Sequence, residues 1–104
     1  MTLKALVFDL GMRFAGQAID PRRRAVVGAA RGRVLELGVG TGQNLRFYDK
    51  AVRVVGVEPD VGMLARAKPR AALADAQVSF VIASGEALPF AGGSFDEVVA
   101  TLVL

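Results

Sequence analysis

An α/β fold built on a parallel sheet is what this sequence predicts, and three observations predict it. Short runs rich in Val and Leu alternate with segments of helical spacing from Arg33 to the end of the chain, the arrangement that parallel strands with right-handed crossovers require. The runs lack internal polar alternation, which suits strands covered on both faces. Three alternating glycines stand where the first run ends, at the place where a strand must turn sharply into the next helix.

The elements follow in order. Leu3, Val7, Leu10 and Phe14 recur at helical spacing, so an amphipathic helix is expected from Leu3 to Ile19, weakened by Gly11 and Gly16 at roughly 1 kcal/mol each relative to alanine. Asp20-Pro21 has the form of an N-cap followed by proline in the first turn, opening a second helix through about Ala30. Arg33 to Leu37 reads as the first strand and Gln43 to Tyr48 as a short helix. Val52 to Val57 is the second strand, followed by a helix from Val61. Pro69 is expected to end or kink that helix near Lys68, with a further helical piece to Ala76. Val78 to Ala83 and Phe95 to Leu104 complete the reading as third and fourth strands.

Composition narrows the chemistry. The 104 residues support one small domain, and 53% of them are apolar without a low-complexity tract, the profile of a globular chain. No run approaches the roughly 20 apolar residues of a membrane span, and no signal pattern opens the chain, so a cytoplasmic location is expected. Cysteine and histidine are both absent. That removes disulfides, thiolate nucleophiles, Cys/His metal sites and imidazole bases from the options. The net charge of +3 is uneven: residues 1–33 carry seven basic and two acidic side chains, and the remainder six and eight. The excess therefore belongs to an N-terminal arm. No aromatic residue sits among Arg22, Arg23 and Arg24, so a nucleic-acid partner is not expected. An amphipathic helix followed by these arginines does have the parts of a peripheral membrane contact, beside the plainer reading of a solvated helix over a pocket.

The segment richest in chemistry is Glu36-Leu37-Gly38-Val39-Gly40-Thr41-Gly42-Gln43-Asn44. Glycines here tolerate positive φ and let a ligand approach the backbone. A ligand-free turn is the plainer alternative, and a dinucleotide site is the sharper competitor. The dinucleotide fingerprint places its third glycine where Gln43 stands. Glu36, two residues before the first glycine, would set negative charge beside a pyrophosphate, but it suits a ligand carrying an ammonium and a sulfonium. At the end of the second strand, Glu58 can accept two hydrogen bonds from a ribose diol, a device shared with nicotinamide sites. Helix N-terminal charge is its other reading.

These residues resemble a known family. Val34 to Asn44 resembles motif I of the class I S-adenosylmethionine-dependent methyltransferases, and Val54 to Asp60 resembles their ribose-binding acidic motif. Ala83 to Phe90 and Ser94 to Val99 are similar to the third and fourth motifs of the methyltransferase-11 group, which includes the ubiquinone and menaquinone biosynthesis enzymes. Gly40 to Tyr48 and the ending Ala100 to Leu104 are similar to a narrower set of thiol and lipid methyltransferase-like proteins. The resemblance covers about residues 31–104. A faint likeness of Val7 to Gly11 to haloacid dehalogenase phosphatases fails at Gly11, where the second Asp of that motif belongs.

The resemblance implies a Rossmann-like sheet with flanking helices, truncated after the fourth strand, with residues 1–32 as a helical arm and 33–104 as a partial cofactor-binding domain. It implies S-adenosyl-L-methionine as cofactor. Gly38, Gly40 and Gly42 would pass its methionine portion, with Glu36 facing the ammonium and Glu58 holding the ribose. Met63 would lie against the adenine, and Glu86 and Ala87 would meet the adenine edge. Thr41, Asn44, Pro59 and Gly85 complete the implied contact set. Ser84 stands where relatives usually have Asp, so its contact to the adenine amino group would lack charge assistance. No catalytic acid or base and no metal ligand is implied, because the sulfonium arrives already activated. The acceptor is expected to be a small molecule or lipid-like. The alternatives are a cofactor-binding remnant without catalysis and a nicotinamide-binding domain. The apolar ending reads as a truncation, and an uncovered fourth strand predicts self-association through it.

Overall fold

The computed structural model describes residues 13–14, 20–84 and 87–100. A five-stranded, all-parallel sheet organises them. Strand β1 is Arg13–Phe14, β2 is Arg33–Leu37, β3 is Arg53–Val57, β4 is Gln77–Val81 and β5 is Glu97–Ala100. Their spatial order is β1-β5-β2-β3-β4. Helix α1 spans Asp20–Gly28, a 3-10 turn spans Leu45–Phe47, and helix α2 spans Val61–Leu73. The alternation of elements predicts this parallel α/β sheet and the family resemblance its Rossmann-like form, with β2 central between β3 and β5.

β2 and β3 are buried at every residue after the first, as expected for strands covered on both faces. One face packs Val34, Val54 and Val99 against Val27 of α1 and Ala30 just after it, Leu45 and Tyr48 of the loop segment, and Leu64 of α2. The other face joins Leu35, Leu37, Val55, Val57, Val98 and Ala100 to Leu88 and Phe95. That second layer comes from the loop before β5, where Phe90 meets Phe95 edge-on at 5.0 Å. Asp96 accepts from the Arg33 backbone N–H at 2.8 Å, and Glu97 accepts from that of Arg31, so the loop is fastened to the start of β2.

Three expectations require correction. The helix over Leu3 to Ile19 does not hold at Arg13–Phe14, which is a strand paired in parallel with β5 at Val99 and Ala100; the rest of that segment, apart from this pair, lies outside the described residues. Edge pairing offers backbone partners that a helix weakened by two glycines does not outweigh. In consequence the fourth predicted strand is not a bare edge at residues 99–100, and its predicted extension over 101–104 lies outside the described residues. A chain lacking residues 1–19 should therefore expose the outer side of β5. Sedimentation at micromolar concentration is expected to show larger species for that chain than for the intact one, and identical profiles would contradict the pairing.

The second correction concerns Pro69, which sits inside α2 without ending it. Its missing N–H would have bonded the carbonyl of Ala65, and both residues are exposed, so water can serve that carbonyl. α2 presents Leu64 and Ala67 to the core and ends where the Ala74 N–H bonds Ala71. Third, the short helix expected from Gln43 to Tyr48 is only the 3-10 turn Leu45–Phe47. Among the described residues no helix is long and apolar enough to cross a membrane, and no group of acidic side chains is placed to hold a metal.

Candidate functional site

The glycine loop leaves β2 at Gly38 and folds back over the end of β3. Gly38, Gly40 and Gly42 have φ of 71°, 58° and 82°, the left-handed region open to glycine at no steric cost. The loop's own N–H groups hold it there. Those of Gly38 and Val39 both donate to the Val57 carbonyl, at 2.9 and 3.0 Å, and that of Gly42 donates to Val39 at 3.0 Å. The Gly40 N–H donates to Glu58 Oε1 at 3.1 Å. A Cβ on Gly42 would stand 2.9 Å from Leu45 Cδ1 and 3.2 Å from Ala67 Cβ. Gly42→Ala is therefore expected to destabilise the chain by roughly 1–3 kcal/mol, read as a lower urea midpoint; an unchanged midpoint would show that the loop conformation is not fixed.

Beneath the loop lies a closed polar cluster. Glu36 is fully buried, on the face that carries Val34 and Val54. The Tyr48 hydroxyl donates to its Oε1 at 2.6 Å, and Asn44 Nδ2 reaches its Oε2 at 3.5 Å. Burial pushes the Glu36 carboxyl up from 4.5 to about 7, opposed by Tyr48, Asn44 and the charge of Arg23. Burial together with the Glu36 charge raises the Tyr48 hydroxyl well above its usual range. Two polar atoms of this neighbourhood, Arg23 Nε and Asn44 Oδ1, are buried without a hydrogen-bond partner. Arg23 donates to Gln43 Oε1 at 2.9 Å. The Arg24 guanidinium lies 5.5 Å from the Phe47 ring centre, and that of Arg46 lies 4.6 Å from it. Part of the basic run thus ties α1 to the segment after the glycine loop.

The second carboxylate, Glu58, is buried at the end of β3. Besides the Gly40 N–H it accepts the Asp60 N–H at Oε2, 3.1 Å away. Asp60 in turn caps α2, its Oδ1 accepting from Gly62 and Met63 at 2.8 and 3.2 Å. Asp60 is thus the N-cap of α2. Met63 is 42% exposed and Ile82, just past β4, is 61% exposed. A Cβ on Gly40 would be 3.9 Å from the Met63 sulfur, so Met63 borders the loop on its open side. A cavity of about 450 Å³ opens beside the last glycine of the loop, lined by Gly42, Gln43, Arg46, Arg70, Leu73 and Ala74; Glu36 and Glu58 are not among its lining residues.

Comparison with known proteins decides the family. A family model described as a methyltransferase domain matches residues 34–104. This chain belongs to that family. The chain is 42% identical over 81 residues to an uncharacterised methyltransferase of Mycolicibacterium gilvum, a match covering 75% of this chain and 31% of the relative. It is 51% identical over 53 residues to a phosphatidylethanolamine N-methyltransferase of Cereibacter sphaeroides, covering 49% of this chain and 26% of that protein. The chain thus spans under a third of the length of these relatives. Its fold is that of the YcgJ protein of Bacillus subtilis, with a TM-score of 0.62 at 22% identity over 78% of this chain and 38% of that one.

In the methyltransferase domain, the structure brings Gly38, Gly40 and Gly42 together with Glu58 through the Gly40 hydrogen bond. Glu36 and Asn44 form a separate buried pair below them. Thr41 is half-buried, and its carbonyl accepts from Arg70 at 2.7 Å. Pro59 and Ser84 are exposed, and the Ala87 N–H donates to the Ser84 carbonyl at 3.2 Å. Gly85 and Glu86 lie outside the described residues. The sequence reading did not anticipate Tyr48, Arg23, Gln43 or Ile82. An apolar-looking Tyr in a short helix gives no signal that its hydroxyl meets a carboxylate twelve residues earlier.

Proposed function

We propose that this methyltransferase domain binds S-adenosyl-L-methionine across the glycine loop and Glu58, and serves methyl transfer to a small or lipid-like acceptor. The observation that carries the reading is how the loop uses its N–H groups. A pyrophosphate site offers such groups to the anion at the start of a helix. Here those of Gly38, Val39, Gly40 and Gly42 are engaged within the protein, and only a three-residue 3-10 turn follows. One carboxylate, Glu58, takes the Gly40 N–H, and a second, Glu36, is buried beneath the loop. That set disfavours a nicotinamide dinucleotide and suits a nucleoside bearing positive charge.

The residues fit such a group. An ionised carboxylate offers about four lone-pair positions; Glu58 uses its two oxygens for Gly40 and Asp60 and retains acceptor capacity for a ribose diol. Met63 and Ile82 supply an exposed apolar border for the adenine. The unpartnered Asn44 Oδ1 is an acceptor suited to an ammonium. The sulfonium, when bound, supplies an electrophilic methyl group, so this chain's part is to hold and orient, and no side chain here need act as an acid or base. Residues 33–104 would be the cofactor-binding part, with residues 1–32 as an arm on it. A lipid-like acceptor draws support from the likeness to the phosphatidylethanolamine enzyme. Calorimetric titration of the chain with S-adenosylhomocysteine and with NAD tests the reading. Preference for the first is expected, and equal or reversed affinities would refute it.

A further inference from the structure

The polar cluster beneath the glycine loop contains a group whose purpose packing does not explain. Asn44 is only 3% exposed. Its Nδ2 faces Glu36, while its Oδ1 is buried without a donor, a situation that costs stability unless something completes it. An ammonium has three donors and no acceptor, and Asn44 follows the glycine loop directly. We propose that Tyr48 is a positioning residue which, through Glu36, fixes the end of the Asn44 amide presented to the ammonium of a bound aminoacyl nucleoside. The inference rests on the cofactor reading of this site.

The chain of cause is short. An ionised Glu36 can only accept, so it draws Nδ2 of Asn44 toward itself and leaves Oδ1 for the ligand. A protonated Glu36 carries an O–H that can donate to Oδ1, which lets the amide turn and point its NH2 at the ammonium, where no hydrogen bond can form. The charge on Glu36 is therefore read out as amide orientation. The Tyr48 hydroxyl, 2.6 Å from Oε1, favours the ionised form, as does Arg23 from α1, while burial opposes them, and the balance leaves the carboxyl at about 7. The other neighbours are uncharged: Gly56 of β3 and Val99 of β5 stand opposite Glu36 in the sheet, and α2 contributes Leu64 to this face. Glu97 acts on Tyr48, raising its hydroxyl and so keeping it a donor. Removing the hydroxyl should shift the balance toward protonated Glu36 at neutral pH.

The test is calorimetry on the full chain from pH 6 to 8.5 with two probes, S-adenosylhomocysteine and 5′-methylthioadenosine, the second lacking the amino-acid end. For the native chain, affinity for S-adenosylhomocysteine should rise with pH and level off above about 7, and that for methylthioadenosine should stay flat. Tyr48→Phe should displace the rise upward by about one pH unit or more, giving about tenfold weaker S-adenosylhomocysteine binding at pH 7 that largely recovers at 8.5. Glu36→Gln, which mimics the protonated state at every pH, should bind S-adenosylhomocysteine weakly without pH dependence and methylthioadenosine normally. A Tyr48→Phe loss that is equal at all pH values, or equal for both probes, would show a merely structural role and overturn the proposal. If both probes fail to bind the native chain, the cofactor reading itself falls, and this inference with it.

Discussion

Glu58→Ala is expected to weaken S-adenosylhomocysteine binding by about ten- to a hundredfold, corresponding to about 1.5–3 kcal/mol for hydrogen bonds to a charged acceptor. The substitution removes the proposed ribose acceptor, and it also frees the Gly40 and Asp60 N–H groups that the carboxylate holds. The two consequences separate by experiment. Glu58→Gln keeps an amide oxygen that can accept from Gly40, but it loses the charge and half of the acceptor capacity. It should retain the native unfolding midpoint more nearly than alanine while still losing nucleoside affinity. If glutamine binds as tightly as glutamate, the carboxylate serves only the loop. A nucleoside contact would then have to be sought elsewhere.

Glu36→Gln stabilises the fold at pH 8. A carboxyl raised from 4.5 to about 7 binds its proton more tightly in the folded chain than in the unfolded one. The folded state is therefore favoured most below pH 4.5, and that advantage is lost as pH rises to about 7, with no further change above. The span corresponds to about 3 kcal/mol, an order of magnitude set by burial of the charge. Glutamine removes the buried charge and can still accept from Tyr48, so the variant should be more stable than the native chain at pH 8 and should lack the decline between pH 4.5 and 7 from this group. Urea unfolding at several pH values measures both features. A variant less stable than the native chain at pH 8 would mean that Glu36 is held by more than Tyr48 and Asn44. Stability and ligand affinity then move in opposite directions in one substitution, the signature of a buried charge kept for binding.

The strands β2 and β3 were legible because their residues lack polar alternation, and the glycine turn marks where β2 ends. The site was legible where chemistry lies close in sequence: the three glycines, and the acid at the end of β3. What lay hidden depends on distance. Arg13–Phe14 carries no strand signal of its own, and becomes one only because β5 offers an edge. Pro69, read as ending or kinking the helix, does not end it, since the carbonyl it leaves unbonded belongs to the exposed Ala65. The pairing of Glu36 with Tyr48 required knowing that the chain folds back after the loop, and the capping role of Asp60 was masked by the more prominent Glu58 beside it. The basic run looked like a surface feature. Arg23, half-buried, and Arg24, exposed, do lie at the surface, where they engage Gln43 and Phe47.

The central claim is that the ligand sits on the glycine loop and Glu58, and not in the cavity beside Arg46 and Arg70. Amide chemical shifts of the isotope-labelled chain, followed during titration with S-adenosylhomocysteine, test it most directly. The account predicts that the largest changes fall on Gly38, Gly40, Glu58 and Met63, with Asn44 responding to the amino-acid end and Arg70 and Leu73 little affected. Changes concentrated at Arg46, Arg70, Leu73 and Ala74, with Gly38, Gly40 and Glu58 silent, would contradict it.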